Sequence, residues 1–245
     1  MLNKRWVSAG ITVLGAIFLL AGCGEKNNAS GEDVKTAESV EDKKTFTVGF
    51  DAEYPPYGYM DENGEYTGFD LELAEAVCKL EGWELVKKPL NWDSKDMELN
   101  SGSIDCIWNG FTMNGREDDY TFSTPYVDNS QVIVVAEKSG IDTLEDLAGK
   151  TVGVQAASAA LDLLQSEEEG GQKKLADTFG ALNEFADYNT AFTELQAGAL
   201  DALAIDVGVA NYQIKSRGEG YKILDETLNT EQYAIGFKKG SRIRI

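Results

Sequence analysis

Histidine is absent from all 245 residues. Its absence removes Ser-His-Asp and Cys-His nucleophile arrangements and any zinc site built on imidazole. Carboxylate chemistry stays open, but the commonest catalytic base is missing, which tilts the reading from catalysis towards binding. Proline is scarce, with 4 residues, and cysteine scarcer, with 3. Positive charge is short as well: 22 Lys and Arg face 42 Asp and Glu, for a formal net charge of −20. So acidic a surface argues against a nucleic-acid partner and favours solubility. It says little about a ligand, because a surface field and a pocket are separate designs. Arginine supplies few of the cations, at Arg5, Arg116, Arg217, Arg242 and Arg244 only. Arg217, in "KSRGEG", reads as an exposed turn. Arg116 stands apart, four residues after Thr112 and just past a predicted strand.

What is present begins with a leader. "MLNKR" is a basic start, followed by "WVSAGITVLGAIFLL", a mostly apolar run of 15 residues. The run is short for a membrane span and has the flanks of a secretory signal. "LLAGC" resembles the lipobox of bacterial lipoproteins, which implies a signal peptide over 1–22 and lipidation of Cys23. An uncleaved anchor helix is the competing reading. Residues 24–44 are polar, hold no aromatic and show no apolar period, so a solvated tether is expected over 23–43. Loss of Lys4 and Arg5 with the leader takes the formal charge from −20 to −22, since residues 1–22 hold no acid. About 200 residues remain from Lys44, enough for one large domain or two small lobes. Cys78 and Cys106 fall in apolar patterns and are expected as buried free thiols, with pairing as the alternative.

Apolar periodicity divides the remainder. "KTFTVGF" reads as a strand, followed by the aromatic loop "DAEYPPYGYM" and a hairpin signal at Asn63-Gly64. In "DLELAEAVCKLEG", Leu71, Ala74, Val77, Cys78 and Leu80 recur at helical spacing, with Asp70 as N-cap and Gly82 as stop. "WELVKKPL" reads as a strand, "SKDMELNSG" as a helix ending before Gly102, and "IDCIWNGFT" as a buried strand. A second set follows. It comprises the strand "SQVIVVAEK", a short helix in "TLEDLAG" with a Thr143…Asp146 capping pattern, and the strand "KTVGVQ". Helices in "SAALDLLQ" and "NTAFTELQAGA" and the strand "LDALAID" complete it. Strands alternating with helices predict an α/β fold with parallel sheets. Two such runs, joined near 126–135 and 231–238, predict two lobes linked by extended crossing strands.

Taken in order, "VGFDAEYPPYGY", "GEYTGFDLELAEAV", "DCIWNGFTMNGRE", "YTFSTPYV", "LEDLAGKTVGVQ" and "LQAGALDALAID" resemble the family-3 extracellular solute-binding proteins. These are the polar amino-acid receptors of ABC importers, and the resemblance runs over nearly all of the chain from Lys44. It implies a two-lobed, periplasmic-binding-protein-like (type II) α/β fold that closes on one amino acid by a hinge. Lobe 1 would comprise 44–133 with 227–245, and lobe 2 would comprise 134–226. Relatives continue as helices where this chain stops at "SRIRI", so the C-terminus is expected to be truncated relative to the family.

An amino acid is a zwitterion, and taking it out of water leaves two opposite charges in need of partners. A carboxylate is best met by a planar guanidinium giving two parallel hydrogen bonds, which lysine cannot reproduce. The resemblance assigns that clamp to Arg116, with Thr112 ahead of it and Asn109 and Gly110 lining the pocket. Many relatives have one more residue between the Thr112 position and the arginine. A surface ion pair of Arg116 with Glu117, Asp118 or Asp119 is the competing reading. Ser158 and the backbone N–H of Ala159, at a helix start, are expected to add donors to the carboxylate. Asp206 matches the family's ammonium-binding aspartate, with capping of the next helix as its alternative role.

Tyr54 and Trp92 are expected to flank the ligand side chain, with Tyr57 close by and Trp108 either near the pocket or in the core. Asp51 matches a position that meets a basic side chain in some relatives, although relatives for non-basic amino acids carry it too. The expected partners are a free polar amino acid and an ABC permease. The membrane would be reached only through the lipid anchor, at the outer face of the cell membrane, by a monomeric chain without cofactor, metal or nucleic acid. The competing function is an enzyme on the same scaffold, a periplasmic cyclohexadienyl or arogenate dehydratase, which would need a positioned general acid. A sensor ectodomain is a third reading.

Overall fold

The structure, a computed structural model, describes residues 45–218 and 220–243. The expected signal peptide over 1–22, the lipidation site Cys23 and the tether over 23–43 lie outside the described residues.

The first run opens with β1 (Thr45–Phe50). The short strands β2 (Glu53–Tyr54), β3 (Gly58–Met60) and β4 (Tyr66–Thr67) then form a small antiparallel sheet. The predicted Asn63-Gly64 turn joins β3 to β4, where the Asp61 carboxylate accepts the backbone N–H of Asn63 at 2.8 Å and of Glu65 at 2.9 Å. Helix α1 (Phe69–Glu81) follows and stops at Gly82, which takes the left-handed conformation. Leu71, Ala74 and Cys78 share its buried face, as their i, i+3, i+7 spacing predicts. Leu80 departs from the prediction and is 85 % exposed. It lies two positions past Cys78, about 200° around the helix, so it cannot share that face. Asp70 also departs: Gly68 is the N-cap, and the Asp70 side chain turns into the interior.

β5 (Glu84–Pro89), α2 (Lys95–Ser101), β6 (Cys106–Ile107) and β7 (Tyr120–Phe122) complete this run. The predicted strand through "IDCIWNGFT" is thus short, because the chain leaves the sheet after Ile107 and Thr112 makes only an isolated bridge to Tyr233.

The second run holds β8 (Val127–Ala136), β9 (Thr151–Gln155), α3 (Ala159–Gln165), α4 (Lys173–Ala176), β10 (Ala181–Phe185) and α5 (Tyr188–Ala197). It continues with β11 (Ala202–Asp206), α6 (Val207–Arg217), β12 (Tyr221–Ile223) and β13 (Asn229–Tyr233), and the chain returns as β14 (Gly236–Lys238). In place of the helix predicted in "TLEDLAG" there is a single 3-10 turn, Glu145–Leu147. Its predicted cap is present, with Asp146 Oδ2 accepting the Thr143 N–H at 2.9 Å. Arg217 ends α6 instead of lying in an exposed turn. Its guanidinium sits 5.4 Å from the Phe192 ring centre and donates to Gln213 Oε1 at 2.9 Å, so packing on an aromatic face carries the helix to this point.

Two larger sheets result. One has the order β5-β1-β6-β14-β7, the other β10-β9-β11-β8-β12 with β13 also on β8. β1 is parallel to β5 and β6, and β9 is parallel to β10 and β11, as alternating units predict. The crossing strands add antiparallel pairs: β8 with β11, β12 and β13, and β14 with β6 and β7. The molecule is therefore a two-lobed mixed α/β protein in which β8 and β13 run side by side. Each lobe has its own core. Phe46, Val48, Leu71, Trp108 and Phe237 pack in the first, and Ile133, Val154, Leu164 and Ala204 in the second. Cys78 is a free thiol, and both it and Cys106 are buried.

Candidate functional site

β8 carries two polar residues inside an otherwise apolar strand. The two-residue period of a strand puts Asn129 and Gln131 on one face, and both are buried. Register then sets Asn129 opposite Glu231 of β13, and Gln131 opposite Asp206 at the end of β11. A primary amide has two N–H bonds, and here each amide serves both acids. Asn129 Nδ2 lies 2.8 Å from Asp206 Oδ1 and 2.8 Å from Glu231 Oε1. Gln131 Nε2 lies 2.7 Å and 2.8 Å from the same two oxygens. Thr112 Oγ1 donates to Glu231 at 2.7 Å, and the Tyr233 hydroxyl donates to Asp206 at 2.6 Å. Burial, and after it repulsion from Glu231, push Asp206 up to about 6 in spite of these donors. Tyr54, Tyr188 and Tyr233 surround this pair. Burial, then the Asp206 charge, hold their phenols well above the usual range and so un-ionised. Tyr57 extends the aromatic group, 5.9 Å from Tyr54 and 5.3 Å from Tyr233 between ring centres.

Arg116 approaches from the first run, between β6 and β7. Its backbone N–H bonds to the Met113 carbonyl at 3.0 Å, closing a turn that folds the side chain back. The guanidinium lies 5.0 Å from the Phe111 ring centre, with Nη1 at 3.5 Å from the Thr112 carbonyl. Its ion-pair partner is Asp162 of α3, at 2.6 Å, and not the neighbouring Glu117, Asp118 or Asp119. A cavity of about 750 Å³ opens here, lined by Lys95, Thr112, Arg116, Ala159, Asp162 and Glu231 among others.

A second cavity, of about 650 Å³, is lined by Asp51, Trp92, Ala156 and Asp187 among others. Burial lifts Asp51 to about 6, against hydrogen bonds from the Glu53 N–H and from the Gln155 amide, which reaches across at 2.7 Å. Trp92 is buried edge-on to Phe111, with Lys95 Nζ 5.1 Å from its ring centre. Lys95 is buried too and donates to the Ala157 carbonyl at 3.1 Å. Burial, and then the Arg116 charge, lower its pKa. The acceptor, Ala157, takes φ 55°, a left-handed conformation rare for a residue with a Cβ. Beside it Ser158 is the N-cap of α3, its hydroxyl accepting the Leu161 N–H at 3.2 Å.

Asn109 and Gly110 lie beneath the aromatic group. Asn109 is buried, and neither end of its amide bonds to another described residue. Gly110 has φ 56°, and a Cβ there would stand 3.0 Å from both the Tyr54 and Tyr233 rings. Its N–H donates to Asp70 at 2.5 Å, while burial pushes that carboxyl up to about 7. Trp108 faces the first core and packs on Tyr126.

The expected residues therefore fall in three neighbouring places. Thr112, Arg116 and Ala159 share the first cavity, and Asp51 and Trp92 the second. Tyr54, Asn109, Gly110, Ser158 and Asp206 are buried or close-packed around them. Glu231, Asn129, Gln131 and Asp162 were not foreseen. A signal for three of them existed: "DNSQ" and "NTEQY" place polar residues at alternate positions of predicted crossing strands, on the side where packing requires apolar ones. Among the described residues, no three His, Cys, Asp or Glu side chains form a group able to hold a metal, and no helix is long and apolar enough to cross a membrane.

Two α/β lobes, crossing strands laid side by side, and buried charge beside cavities where the lobes meet are the plan of a two-lobed binding protein. Comparison with known proteins gives the family. The chain belongs to the bacterial extracellular solute-binding proteins, family 3, whose model matches residues 46–242. It is 29 % identical to the L-cystine-binding protein TcyJ of Escherichia coli, over 92 % of this chain and 82 % of that protein. It is 32 % identical to the arginine-binding extracellular protein ArtP of Bacillus subtilis, over 98 % and 88 %. Among solved structures, it resembles an ABC uptake transporter substrate-binding protein from Streptococcus pneumoniae with bound histidine. That match has TM-score 0.74 and 36 % identity, over 80 % of each chain. An ancestral arginine-binding protein bound to arginine gives TM-score 0.72 and 38 % identity, over 81 % of this chain and 86 % of that one.

Proposed function

We propose that this chain is the substrate-binding component of an ABC importer, capturing a polar amino acid outside the cell and passing it to a membrane permease. One observation carries the reading: the cavity lined by Arg116 is also lined by Glu231, which shares the Asn129 and Gln131 amides with Asp206. A guanidinium on one side, and on the other acids whose hydrogen-bond partners are neutral, complement the two ends of a zwitterion. In this reading Arg116, Thr112, Ser158 and the Ala159 N–H meet the α-carboxylate. Asp206 meets the ammonium, and Tyr54 and Trp92 flank the side chain, with Asp51, Asn109 and Gly110 completing the wall.

Relatives named for cystine and arginine, and solved structures holding histidine and arginine, support the ligand class. Lobe 1 (44–133 with 227–245) and lobe 2 (134–226) close together because the ligand touches both. A lipid on Cys23 and the tether over 23–43 hold the monomer at the outer face of the membrane.

The test is a thermal-shift panel of the twenty amino acids with cystine and ornithine. One or a few polar members are expected to raise the melting temperature, by an amount equivalent to about 2.7 kcal/mol at a hundredfold excess over Kd. Arg116→Ala is expected to abolish the response. A panel without any response refutes the amino-acid reading, and an unchanged response in the variant removes Arg116 from the site.

A further inference from the structure

We infer that Glu231 is a specificity-determining residue that, with Asp206, forms a two-carboxylate seat for the cationic end of the ligand, and that the site prefers amino acids of net positive charge. This rests on the reading that the cleft holds an amino acid, and it adds both a residue and a charge class to it.

Glu231 belongs to a crossing strand and lines the same cavity as Arg116. Its Oε1 accepts from Thr112, Asn129 and Gln131, and Asp206 Oδ1 accepts from Asn129, Gln131 and Tyr233. Three donors thus converge on one oxygen of each acid, an environment suited to a carboxylate. The two acids lie side by side in the interior. The donors between them are neutral dipoles, which solvate each charge without cancelling the repulsion. Asn229 adds one more neutral donor, to Glu231 Oε2 at 3.3 Å.

The amides point to the same missing element. Asn129 and Gln131 spend their N–H bonds on the two acids, and their carbonyl ends are buried with no donor from the described residues. A cationic group with several N–H bonds, an ammonium or a guanidinium, supplies charge and donors together.

Counting charge around the two cavities gives the ligand's sign. Acids dominate both linings, Asp51, Asp162 and Glu231 among them and Asp206 buried close by, whereas the cations are Arg116 and Lys95. Arg116 is already paired with Asp162, and Lys95 is engaged with the Ala157 carbonyl and the Trp92 ring. A neutral zwitterion leaves this negative excess as it was, whereas a basic amino acid reduces it.

Arginine and citrulline have the same length and differ in the charge of the terminal group, so calorimetric titration of both separates charge from shape. The unmodified protein at pH 7.5 is expected to bind arginine at least about tenfold more tightly than citrulline. Glu231→Gln keeps the size of the side chain and removes its charge. It is expected to weaken both ligands through their shared ammonium and, in addition, to narrow the arginine-to-citrulline affinity ratio by about threefold or more. Equal affinities for the two ligands in the unmodified protein overturn the inference, as does an unchanged ratio in Glu231→Gln. Should Glu231→Gln melt below the assay temperature, Glu231→Asp takes its place; it is expected to keep the preference for arginine, and losing that preference while folded also overturns the inference. Binding of citrulline or glutamine without charge preference refutes this inference alone. A protein that binds no amino acid refutes the reading beneath it as well.

Discussion

Asp206, Asp51 and Asp70 are carboxylic acids whose folded-state values, about 6, 6 and 7, lie above the ordinary 3.8. Burial is the first cause in each. An acid that holds its proton more tightly when folded takes up protons on folding, so its contribution to stability grows as pH falls through the folded value and is complete below the unfolded one. The ligand-free protein is therefore expected to melt at a higher temperature at pH 5 than at pH 7.5, and relief of the −20 net charge acts in the same direction. A bound ammonium favours ionised Asp206, so the ligand-induced rise in melting temperature is expected to shrink over the same interval. Melting curves at the two pH values, with and without ligand, check both signs. A higher melting temperature at pH 7.5 without ligand contradicts the assignment. At this scale the sequence was legible where a residue's placement is set by its neighbours in the chain. Arg116 is placed by its turn after Thr112, and Ser158 by the helix it caps. Glu231 shows in the sequence only as a polar residue of a crossing strand, because its surroundings come from lying opposite Asn129, 102 positions away.

Among the elements, α1 was readable because its apolar residues recur at helical spacing and Gly82 ends it. Helix α6 was foreseen only as something for Asp206 to cap, since "VGVANYQIKSR" has no apolar period and its buried Val209, Ala210 and Gln213 mix residue types; the Asp206 side chain makes no cap hydrogen bond to it. Asp70 misled because an acid at a helix start looks like a cap, whereas this one is spent on the Gly110 N–H in the interior. Capping is clear at α5, where Asp187 accepts the Thr190 N–H at 2.7 Å and the Thr190 hydroxyl at 2.9 Å. Asp187→Ala is expected to destabilise the protein by about 1 kcal/mol. Urea unfolding measures this as a lower midpoint with an unchanged slope. A midpoint equal to that of the unmodified protein shows that the cap contributes nothing.

The lobes are tied by polar contacts that bypass the acid pair: Arg116 to Asp162, Lys95 to the Ala157 carbonyl, Gln155 to Asp51, and Asn189 to Glu53. Arg116–Asp162 is an ion pair whose acidic side chain is 61 % exposed. Salt near 1 M shortens the screening length to about 3 Å and should weaken it. Small-angle scattering of the ligand-free protein is expected to show a larger radius of gyration in 1 M than in 0.05 M sodium chloride, and equal radii exclude this pair as a restraint on opening. The two-lobed plan itself was legible from the alternation of strands and helices. The partner of Arg116 was not, since no local pattern joins it to a residue 46 positions along.

That pairing has a consequence for delivery. In the proposed cycle, Asp162 is a rival tethered to the receptor itself, and an arriving carboxylate must share the guanidinium with it or push it aside. Once the permease pries the halves apart, the same rival is on hand to reclaim Arg116 and hasten discharge of the cargo.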